Sequence, residues 1–196
     1  MPPPALVVIG YLLGSISFAV LFVRAATGRD IRAEGSGNAG ATNVLRAYGK
    51  KLAIVVALLD VAKGAAAVLL VRLVTADPVW AAAAGFAAIL GHVFPVFYGF
   101  RGGKGVATAV GAFLVLSPLA LACCLAIFVA IVAATRYVSL GSVVAMALLP
   151  STAGVLFRPP RPIVIAAAAT ALLIVLKHVP NLKRLARGEE RKLGGK

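Results

Sequence analysis

The chain has 196 residues and 61% of them are hydrophobic, which excludes a disordered chain and an ordinary soluble domain. A formal net charge of +14 would point to a nucleic acid partner in a soluble protein, but here several apolar segments are long enough to cross a bilayer. We therefore predict an integral membrane protein whose basic residues face anionic lipid headgroups and phosphorylated substrates, with no nucleic acid as a partner.

Seven apolar segments follow one another along the chain, and each must be helical because lipid offers no partner for backbone N–H and C=O groups. The first follows Met-Pro-Pro-Pro, without the basic residues of a signal peptide, so we expect it to be retained. The predicted fold class is an all-α integral membrane protein with seven transmembrane helices, in a single domain over residues 1–196. The segments are residues 5–23, 52–71, 79–97, 105–116, 119–135, 140–157 and 163–176.

The distribution of Lys and Arg decides whether residues 105–135 form one helix or two, because Ser117-Pro118 interrupts them. With two helices, the N-terminus lies outside and most basic loop residues, including those of the C-terminal tail, lie in the cytoplasm. A single helix would move the basic tail outside. The fourth of seven helices is then only about 20 Å long, shorter than a hydrocarbon core of about 30 Å.

The segment from Gly35 to Arg46 is the most polar interruption of the apolar pattern. Its glycines let backbone N–H groups turn toward one point, and Arg46 adds a fixed charge with a planar fork of donors. These properties suit a phosphate group, although an ordinary connecting loop is the alternative. The neutral side-chain donors of the segment are Ser36, Asn38, Thr42 and Asn43.

Two ionisable residues, Asp60 and Lys63, lie three positions apart in the second apolar segment, at membrane depth. Either charge alone would be costly there, so we expect them to pair with each other or with the polar loops. A structural ion pair and a functional site are both open interpretations. His92, three residues before Pro95, is open to two interpretations, of which a packed histidine at a helix end is favoured over a catalytic residue.

The fourth apolar segment is preceded by Gly102-Gly103-Lys104-Gly105 and carries Thr108 near its start. Glycines permit close backbone approach, a helix start offers unpaired N–H groups, and Lys104 adds positive charge, which together predict a phosphate cradle. It is not a Walker A loop, because Lys104 is followed by glycine and no strand precedes it. The alternative is a turn at the membrane interface with a snorkelling lysine.

The C-terminal tail is strongly basic and follows the last apolar segment. His178, Asn181 and Arg184 recur every three residues, so a helical tail would place them on one face. The alternative is a basic amphipathic tail lying on lipid. Cys123 and Cys124 are adjacent in an apolar segment, which matches neither a metal motif nor a disulfide framework, and we expect them to be buried hydrophobes.

Three polar islands therefore fall on the predicted cytoplasmic side. They are Gly35-Ser36-Gly37-Asn38-x-Gly40-x-Thr42-Asn43-x-x-Arg46, then Gly91-His92-x-Phe94-Pro95 through Gly102-Gly103-Lys104-Gly105-x-Ala107-Thr108, and finally His178-x-x-Asn181-x-x-Arg184-Leu185-x-x-x-Gly188-x-Glu190. Together they resemble the bacterial acyl-phosphate-dependent glycerol-3-phosphate acyltransferases. The chain length, the Asp60-x-x-Lys63-Gly64 element and the Ser139-Leu140-Gly141-Ser142 loop fit as well, so the resemblance covers nearly the whole chain.

The resemblance implies transfer of a fatty acyl group from acyl phosphate to the 1-hydroxyl of sn-glycerol 3-phosphate, which gives lysophosphatidic acid and phosphate at the first step of phospholipid biosynthesis. It also implies a bacterial inner membrane location, an active site on the cytoplasmic face, an upstream enzyme that produces acyl phosphate, and no metal or cofactor. The residues expected to be catalytic are Ser36, Arg46, Lys104, His178 and Asn181, and those expected to bind substrate are Gly37, Asn38, Thr42, Asn43, Gly102, Gly103, Gly105, Thr108, Ser142 and Arg184.

Acyl phosphate is an activated mixed anhydride, so the protein need mainly orient two substrates and stabilise developing negative charge. In this hypothesis Lys104 and the glycine amides beside it hold acyl phosphate. Arg46, His178 and Asn181 hold glycerol 3-phosphate, and a phosphate oxygen of a substrate takes the hydroxyl proton. The rival hypothesis makes His178 the general base.

Other classes of function were weighed against the same residues. The His-x-x-x-x-Asp dyad of another acyltransferase class is absent, since Phe97 and Lys183 stand five residues after the two histidines. A small organic-anion transporter of the inner membrane is the alternative function, because intramembrane charges and a short helix facing an anion also occur there. A lipid phosphotransferase with metal-bound aspartates is disfavoured, because the three aspartates are scattered along the chain.

Overall fold

The computed structural model describes residues 2–194, and these residues form nine α-helices with no β-strand. The helices divide into two compact units, of which the first ends at Leu116 and the second begins at Ser117. A single functional domain stays a prediction. The helices are α1 Pro3–Gly14, α2 Phe18–Thr27, α3 Ala41–Tyr48, α4 Lys50–Arg72, α5 Pro78–Val93, α6 Val106–Leu116, α7 Pro118–Thr135, α8 Val138–Ser151 and α9 Arg161–Ala186.

Six helical stretches of the described residues are long and apolar enough to cross a membrane. They correspond to all the predicted segments except the fourth, which is the 11-residue helix α6. The multi-pass, all-helical membrane class is therefore confirmed. The crossing of the membrane by α6, and with it the count of seven spans, stays a prediction.

The first predicted segment is not one continuous helix, and that expectation was wrong. The helix α1 ends at Gly14, α2 begins at Phe18, and the Ser17 side chain caps α2 by accepting from the Val20 N–H at 3.5 Å. Serine side chains compete with the helical backbone for hydrogen bonds, which favours a break where two of them stand close together. The carbonyl of Ile16, freed by the break, accepts a hydrogen bond from Lys63 Nζ at 2.7 Å.

The predicted interruption at Ser117-Pro118 is confirmed. Ser117 has a non-helical backbone, with φ of −155° and ψ of 73°, and Pro118 occupies the first position of α7. Proline is favoured there because the first turn of a helix needs no N–H donor. Residues 105–135 therefore form two helices.

Small residues bring the helices of the first unit into close contact. A Cβ placed on Gly64 of α4 would collide with the carbonyl oxygen of Thr108 in α6, and one on Gly111 of α6 would collide with the carbonyl oxygen of Val61 in α4. Close backbone approach of this kind is the usual way in which membrane helices gain packing energy without a hydrophobic driving force. It fixes the height of α6, and thus of the glycine-rich turn before it, against α4.

In the second unit, α8 packs against both α7 and α9. The tail beyond α9 folds back to the start of α8, where Arg136 Nη2 donates to the carbonyl of Leu193 at 2.7 Å. The helix α9 continues through Pro180 to Ala186, further than the apolar segment predicted from the sequence. His178, Asn181 and Arg184 of the C-terminal motif therefore belong to a helix, and Glu190 lies beyond its end.

Candidate active site

The loop before α3 is ordered by one buried side chain, Asn43, which is 1% exposed. Its Oδ1 accepts from the Ser36 N–H at 2.9 Å, and its Nδ2 donates to the carbonyls of Glu34 at 2.9 Å and Ile31 at 3.2 Å. Each amide hydrogen of Asn43 is thus donated to the backbone of the loop it supports. The structure gives Asn43 a positioning role rather than an open face toward a ligand.

A second contact ties the same loop to the turn that precedes the glycine-rich segment. Arg32 makes an ion pair with Asp30 at 2.7 Å, and its Nη1 donates to the Tyr98 carbonyl at 2.8 Å. Hydrogen bonding from the Arg32 side chain lowers the pKa of Asp30 from 3.8 to about 2 against the opposing effect of desolvation. The pair therefore stays charged over the whole physiological pH range.

The glycine-rich turn is packed so tightly that side chains would not fit. The Gly103 N–H donates to the His92 carbonyl at 3.1 Å. A Cβ on Gly102 would collide with that same carbonyl, and one on Gly103 would collide with His92 Nε2 and lie 3.0 Å from the Ala39 carbonyl oxygen. The glycines here serve close packing, and Ala39 brings the Gly35–Arg46 segment directly against the second motif.

Gly105, the last residue before α6, has a φ of +87°, which glycine tolerates and other residues rarely adopt. This conformation turns the chain into the first turn of α6, which begins at Val106, two residues after Lys104. The N-terminal end of a helix carries unpaired N–H groups and a partial positive charge. The anion cradle at this turn stays a prediction, and the Gly103 N–H is already donated to the His92 carbonyl.

The predicted pairing of Asp60 with Lys63 is confirmed. Lys63 Nζ lies 2.8 Å from Asp60 Oδ1, and both side chains are almost completely buried. His92 joins them, since its Nδ1 lies 3.5 Å from the same Asp60 oxygen. His92 is buried at the end of α5, as expected, but it contacts a charged group that the sequence did not connect to it.

A cavity of about 690 Å³ lies in the first unit beside these loops. Arg32, Tyr98 and Arg101 contribute polar groups to its wall, and Gly37 is the predicted site residue among its lining. The cavity is therefore bordered by both polar motifs of this unit.

The remaining predicted residues of the first unit differ in exposure. Ser36 and Gly37 are exposed, whereas Thr108 is completely buried against Gly64 in the first turn of α6. A water-soluble substrate can therefore reach Ser36 and Gly37, whereas Thr108 contributes to the packing of α6. The half-buried members are Asn38, Thr42, Arg46 and Lys104.

In the second unit, the Glu190 carboxylate contacts two polar side chains of the C-terminal motif and one serine of α8. Its Oε1 accepts from Asn181 Nδ2 at 2.7 Å and from Ser139 Oγ at 2.8 Å, and its Oε2 pairs with Arg184 Nε at 2.9 Å. The sequence assigned Asn181 and Arg184 to a substrate phosphate, whereas in this structure both contact Glu190. Glu190, quoted above as the last residue of the third motif but not assigned to the site, is therefore the partner of both residues.

The pKa of Glu190 reflects a balance between burial and hydrogen bonding. Burial raises the pKa, but hydrogen bonds from Asn181, Ser139 and Arg184 outweigh this effect, so the pKa lies below its ordinary value. The carboxylate is consequently ionised at neutral pH. A signal for this partner existed in the composition, because a chain with only 6 acidic residues and 20 basic ones has few carboxylates to balance its cations.

His178 is buried in α9, and its Nδ1 lies 2.8 Å from the Ile174 carbonyl oxygen. A carbonyl can only accept, so Nδ1 carries a proton and the neutral ring presents Nε2 as an acceptor. Ser142 donates its hydroxyl to the Val138 carbonyl at 2.9 Å, which commits that hydrogen to the backbone of α8. The two predicted residues therefore differ in what they can offer to a substrate.

These features define a class, namely a multi-pass helical membrane protein whose polar loops offer backbone and cationic donors suited to phosphate groups. The family model described as glycerol-3-phosphate acyltransferase matches residues 4–188. The chain belongs to this family, as the resemblance of its three motifs indicated.

Individual relatives agree with the family assignment. The chain is 48% identical to a glycerol-3-phosphate acyltransferase of Geobacter sulfurreducens over 187 residues, which is 94% of both chains. It is 50% identical to that of Halorhodospira halophila, over 96% of this chain and 95% of the relative. Among solved structures, the glycerol 3-phosphate form of PlsY, an integral membrane glycerol 3-phosphate acyltransferase, superposes with a TM-score of 0.92 at 38% identity, over 97% of this chain and 95% of that one.

Proposed function

We propose that this protein transfers a fatty acyl group from acyl phosphate to the 1-hydroxyl of sn-glycerol 3-phosphate. The hydroxyl oxygen bonds to the acyl carbon, the bond from that carbon to the phosphate oxygen breaks, and the hydroxyl proton ends on the departing phosphate. The observation that carries the proposal is the family match over residues 4–188. PlsY structures with glycerol 3-phosphate and with lysophosphatidic acid support the acceptor and the product.

The donor site is proposed at the glycine-rich turn. Lys104 and the N–H groups of the Gly102–Gly105 turn other than that of Gly103, which donates to the His92 carbonyl, would hold the phosphate of acyl phosphate, because a cation beside a helix start suits a group with two negative charges. The exposed hydroxyl of Ser36 is a further donor for this phosphate. Preorganised donors of this kind stabilise the charge that grows on the leaving phosphate as the bond breaks.

The acceptor is proposed to bind through Arg46, His178 and Asn181, with Asn38, Thr42 and Arg184 as further donors. Arg46 suits the phosphate of glycerol 3-phosphate because its planar fork can make two parallel hydrogen bonds. With Nδ1 turned to the Ile174 carbonyl, a neutral His178 accepts at Nε2, so it suits the non-reacting hydroxyl of glycerol 3-phosphate better than a phosphate.

The proton of the reacting 1-hydroxyl is proposed to pass to a phosphate oxygen of a substrate, with His178 only holding glycerol 3-phosphate in place. A pH-rate profile separates this from general-base catalysis, since imidazoles titrate near pH 6 to 7. We expect the acidic limb of kcat against pH to be the same in His178→Gln as in the parent enzyme. Loss of a limb in that range, with unchanged apparent substrate affinities, would make His178 the base.

The proposed activity is tested with purified protein in lipid and radiolabelled glycerol 3-phosphate. We expect lysophosphatidic acid and phosphate in equal amounts with acyl phosphate as donor, and no product with acyl coenzyme A. Activity in detergent, where no compartments exist, also separates catalysis from transport. The transporter alternative has no support among the relatives reported above, which are all named acyltransferases.

The two phosphate subsites are distinguished by their Michaelis constants. Lys104→Gln is expected to raise the KM for acyl phosphate at least tenfold, and Arg46→Gln to raise the KM for glycerol 3-phosphate by a similar factor, because each loses one charge-assisted contact. The reverse pattern would exchange the two assignments.

The topology proposed for the family member has seven spans, an outside N-terminus, and the active site on the cytoplasmic face of the bacterial inner membrane. The density of Lys and Arg in the loops supports it. In a background without native cysteines, Arg158→Cys should react with an impermeant maleimide in intact cells. Lys192→Cys should react only after lysis, and the opposite pattern would overturn the orientation.

A further inference from the structure

Asp60, Lys63 and His92, here called the Asp60 cluster, form a buried charged group in the first unit. Asp60 Oδ1 is shared by Lys63 Nζ at 2.8 Å and His92 Nδ1 at 3.5 Å. Lys63 also donates to the Ile16 carbonyl at 2.7 Å and lies 5.5 Å from the centre of the Phe18 ring. The cluster therefore connects α4 and α5 to the break between α1 and α2.

The cluster contacts the glycine-rich turn through His92. The His92 carbonyl accepts the Gly103 N–H at 3.1 Å, and the His92 ring lies where a Cβ of Gly103 would have to stand. Gly103 is the residue immediately before Lys104. A change in the position of the imidazole is therefore passed to the backbone that carries the Lys104 side chain.

We propose that the Asp60 cluster positions the Gly102–Gly105 turn for binding of the acyl phosphate. His92 is a positioning residue and not a catalytic base, because it is 7% exposed and Gly103 packs against its Nε2. On the other side of the ring, Nδ1 faces the Asp60 carboxylate at 3.5 Å. The proposal rests on the role of Lys104 in the proposed function and adds the residues that hold Lys104 in place.

Packing alone does not require charges at this depth. Removing two charges from water is costly, and apolar residues of similar volume often stabilise a fold as well or better. An ion pair that also contacts His92 and the Ile16 carbonyl, however, fits only one arrangement of the elements around it. The charges therefore set the position of the turn, which catalysis requires to be accurate to within about 1 Å.

The test uses Asp60→Asn/Lys63→Met, which removes both charges together so that neither is left buried without its partner. We expect the KM for acyl phosphate to rise at least tenfold, while the KM for glycerol 3-phosphate changes less than twofold. A merely structural role would lower the amount of active enzyme, and hence the apparent kcat, with both KM values unchanged. That result would overturn the proposal, as would equal increases in both KM values.

A second test examines the contact between His92 and Gly103. Gly103→Ala should raise the KM for acyl phosphate, because the new Cβ collides with the imidazole. In His92→Ser/Gly103→Ala the smaller serine side chain leaves room for the new Cβ. The KM of this double variant for acyl phosphate should therefore be at least threefold lower than the value obtained by multiplying the effects of His92→Ser and Gly103→Ala. Strictly multiplicative effects would overturn the proposal.

Two controls separate the possible failures. Thr170→Val removes a buried polar atom of α9 and should leave both KM values unchanged. This control shows that loss of a buried polar atom is not by itself enough to change a KM. Lys104→Gln tests the proposed function itself. If Lys104→Gln raises the KM for acyl phosphate and Asp60→Asn/Lys63→Met does not, only the positioning role fails. If Lys104→Gln has no effect, both proposals fail.

Discussion

At the scale of single residues, the polar loops of this protein are held by side chains that form more than one contact each. Asn43 joins three backbone groups of its loop, and Arg32 joins Asp30 to the Tyr98 carbonyl. Multiple contacts from one side chain restrict a loop more than the same number of scattered contacts, since only one side chain loses its freedom. Asn43 and Arg32 therefore restrict the loops that carry the candidate site.

Asn43→Ala should lower the free energy of unfolding by roughly 2–3 kcal/mol, because three hydrogen bonds worth about 1 kcal/mol each are lost. Asn43→Asp keeps the acceptor for the Ser36 N–H and loses both donated bonds, so its effect should be close to that of the alanine variant. Thermal unfolding in detergent, followed by circular dichroism, measures both. An unchanged midpoint in Asn43→Ala would contradict the positioning role of Asn43.

The pair of Asp30 and Arg32 makes a prediction about pH. The folded-state pKa of Asp30, about 2, lies below its ordinary value of 3.8, so the stabilisation is complete above the ordinary value and is lost as the pH falls through about 2. Unfolding midpoints of the parent protein and Asp30→Asn should differ at pH 6 and converge as the pH falls from about 4 to about 2. A constant difference across this range would contradict the shift.

Arg32→Gln should loosen the same loop and raise the KM for glycerol 3-phosphate. Arg29→Gln is the matched control, because the Arg29 pair with Glu34 at 3.3 Å is mostly exposed and such pairs contribute little. Steady-state kinetics of the two variants measure the contrast. Equal effects would show that loss of any positive charge in this loop matters, rather than the link from Arg32 to Tyr98.

At the scale of helices, the contact between α4 and α6 determines where the glycine-rich turn stands. Gly64 and Gly111 let the two backbones meet, with the Thr108 and Val61 carbonyls filling the space where Cβ atoms would be. The break between α1 and α2 has the opposite character, since it exposes a carbonyl that Lys63 satisfies. Both features concern the backbone, and both bear on the same turn.

Gly64→Ala should destabilise the protein by about 1–3 kcal/mol, the usual cost of overpacking, because the helices have to separate or tilt to accept the new methyl group. Gly154→Ala is the matched control, since a Cβ there would meet no backbone atom and only the Val164 side chain, at 3.3 Å. Thermal unfolding compares the two variants. A similar, small loss in both would show that α4 and α6 can move apart at little cost.

At the scale of the whole molecule, much of the fold follows from the sequence because lipid permits little else. Long apolar runs must be helices, and Pro118 marks an interruption that the structure contains. The break at residues 15–17 was missed, since its partner, Lys63, is 47 residues away from Ile16 in the chain. Two nearby serines favour a break there, but no local pattern identifies Lys63 as the donor to the freed carbonyl.

The same distinction applies to the candidate site. The residue types that suit phosphate could be identified in the sequence, and the approach of Ala39 to Gly103 agrees with the predicted proximity of the first two motifs. The contacts that Glu190 makes with Asn181 and Arg184 could not be derived, nor could the contact of Asp60 with His92, because both depend on how distant segments pack. Sequence chemistry indicates which groups are needed, and packing decides what each group touches.

The most direct measurement follows the bridging oxygen of acyl phosphate, the atom between the acyl carbon and phosphorus, labelled with oxygen-18. Incubated with the purified protein and glycerol 3-phosphate, this donor should give lysophosphatidic acid without the label and inorganic phosphate that carries it, because the acyl carbon is attacked. If no lysophosphatidic acid forms, or if the phosphate is released without the label, the result would contradict acyl transfer from acyl phosphate by this protein.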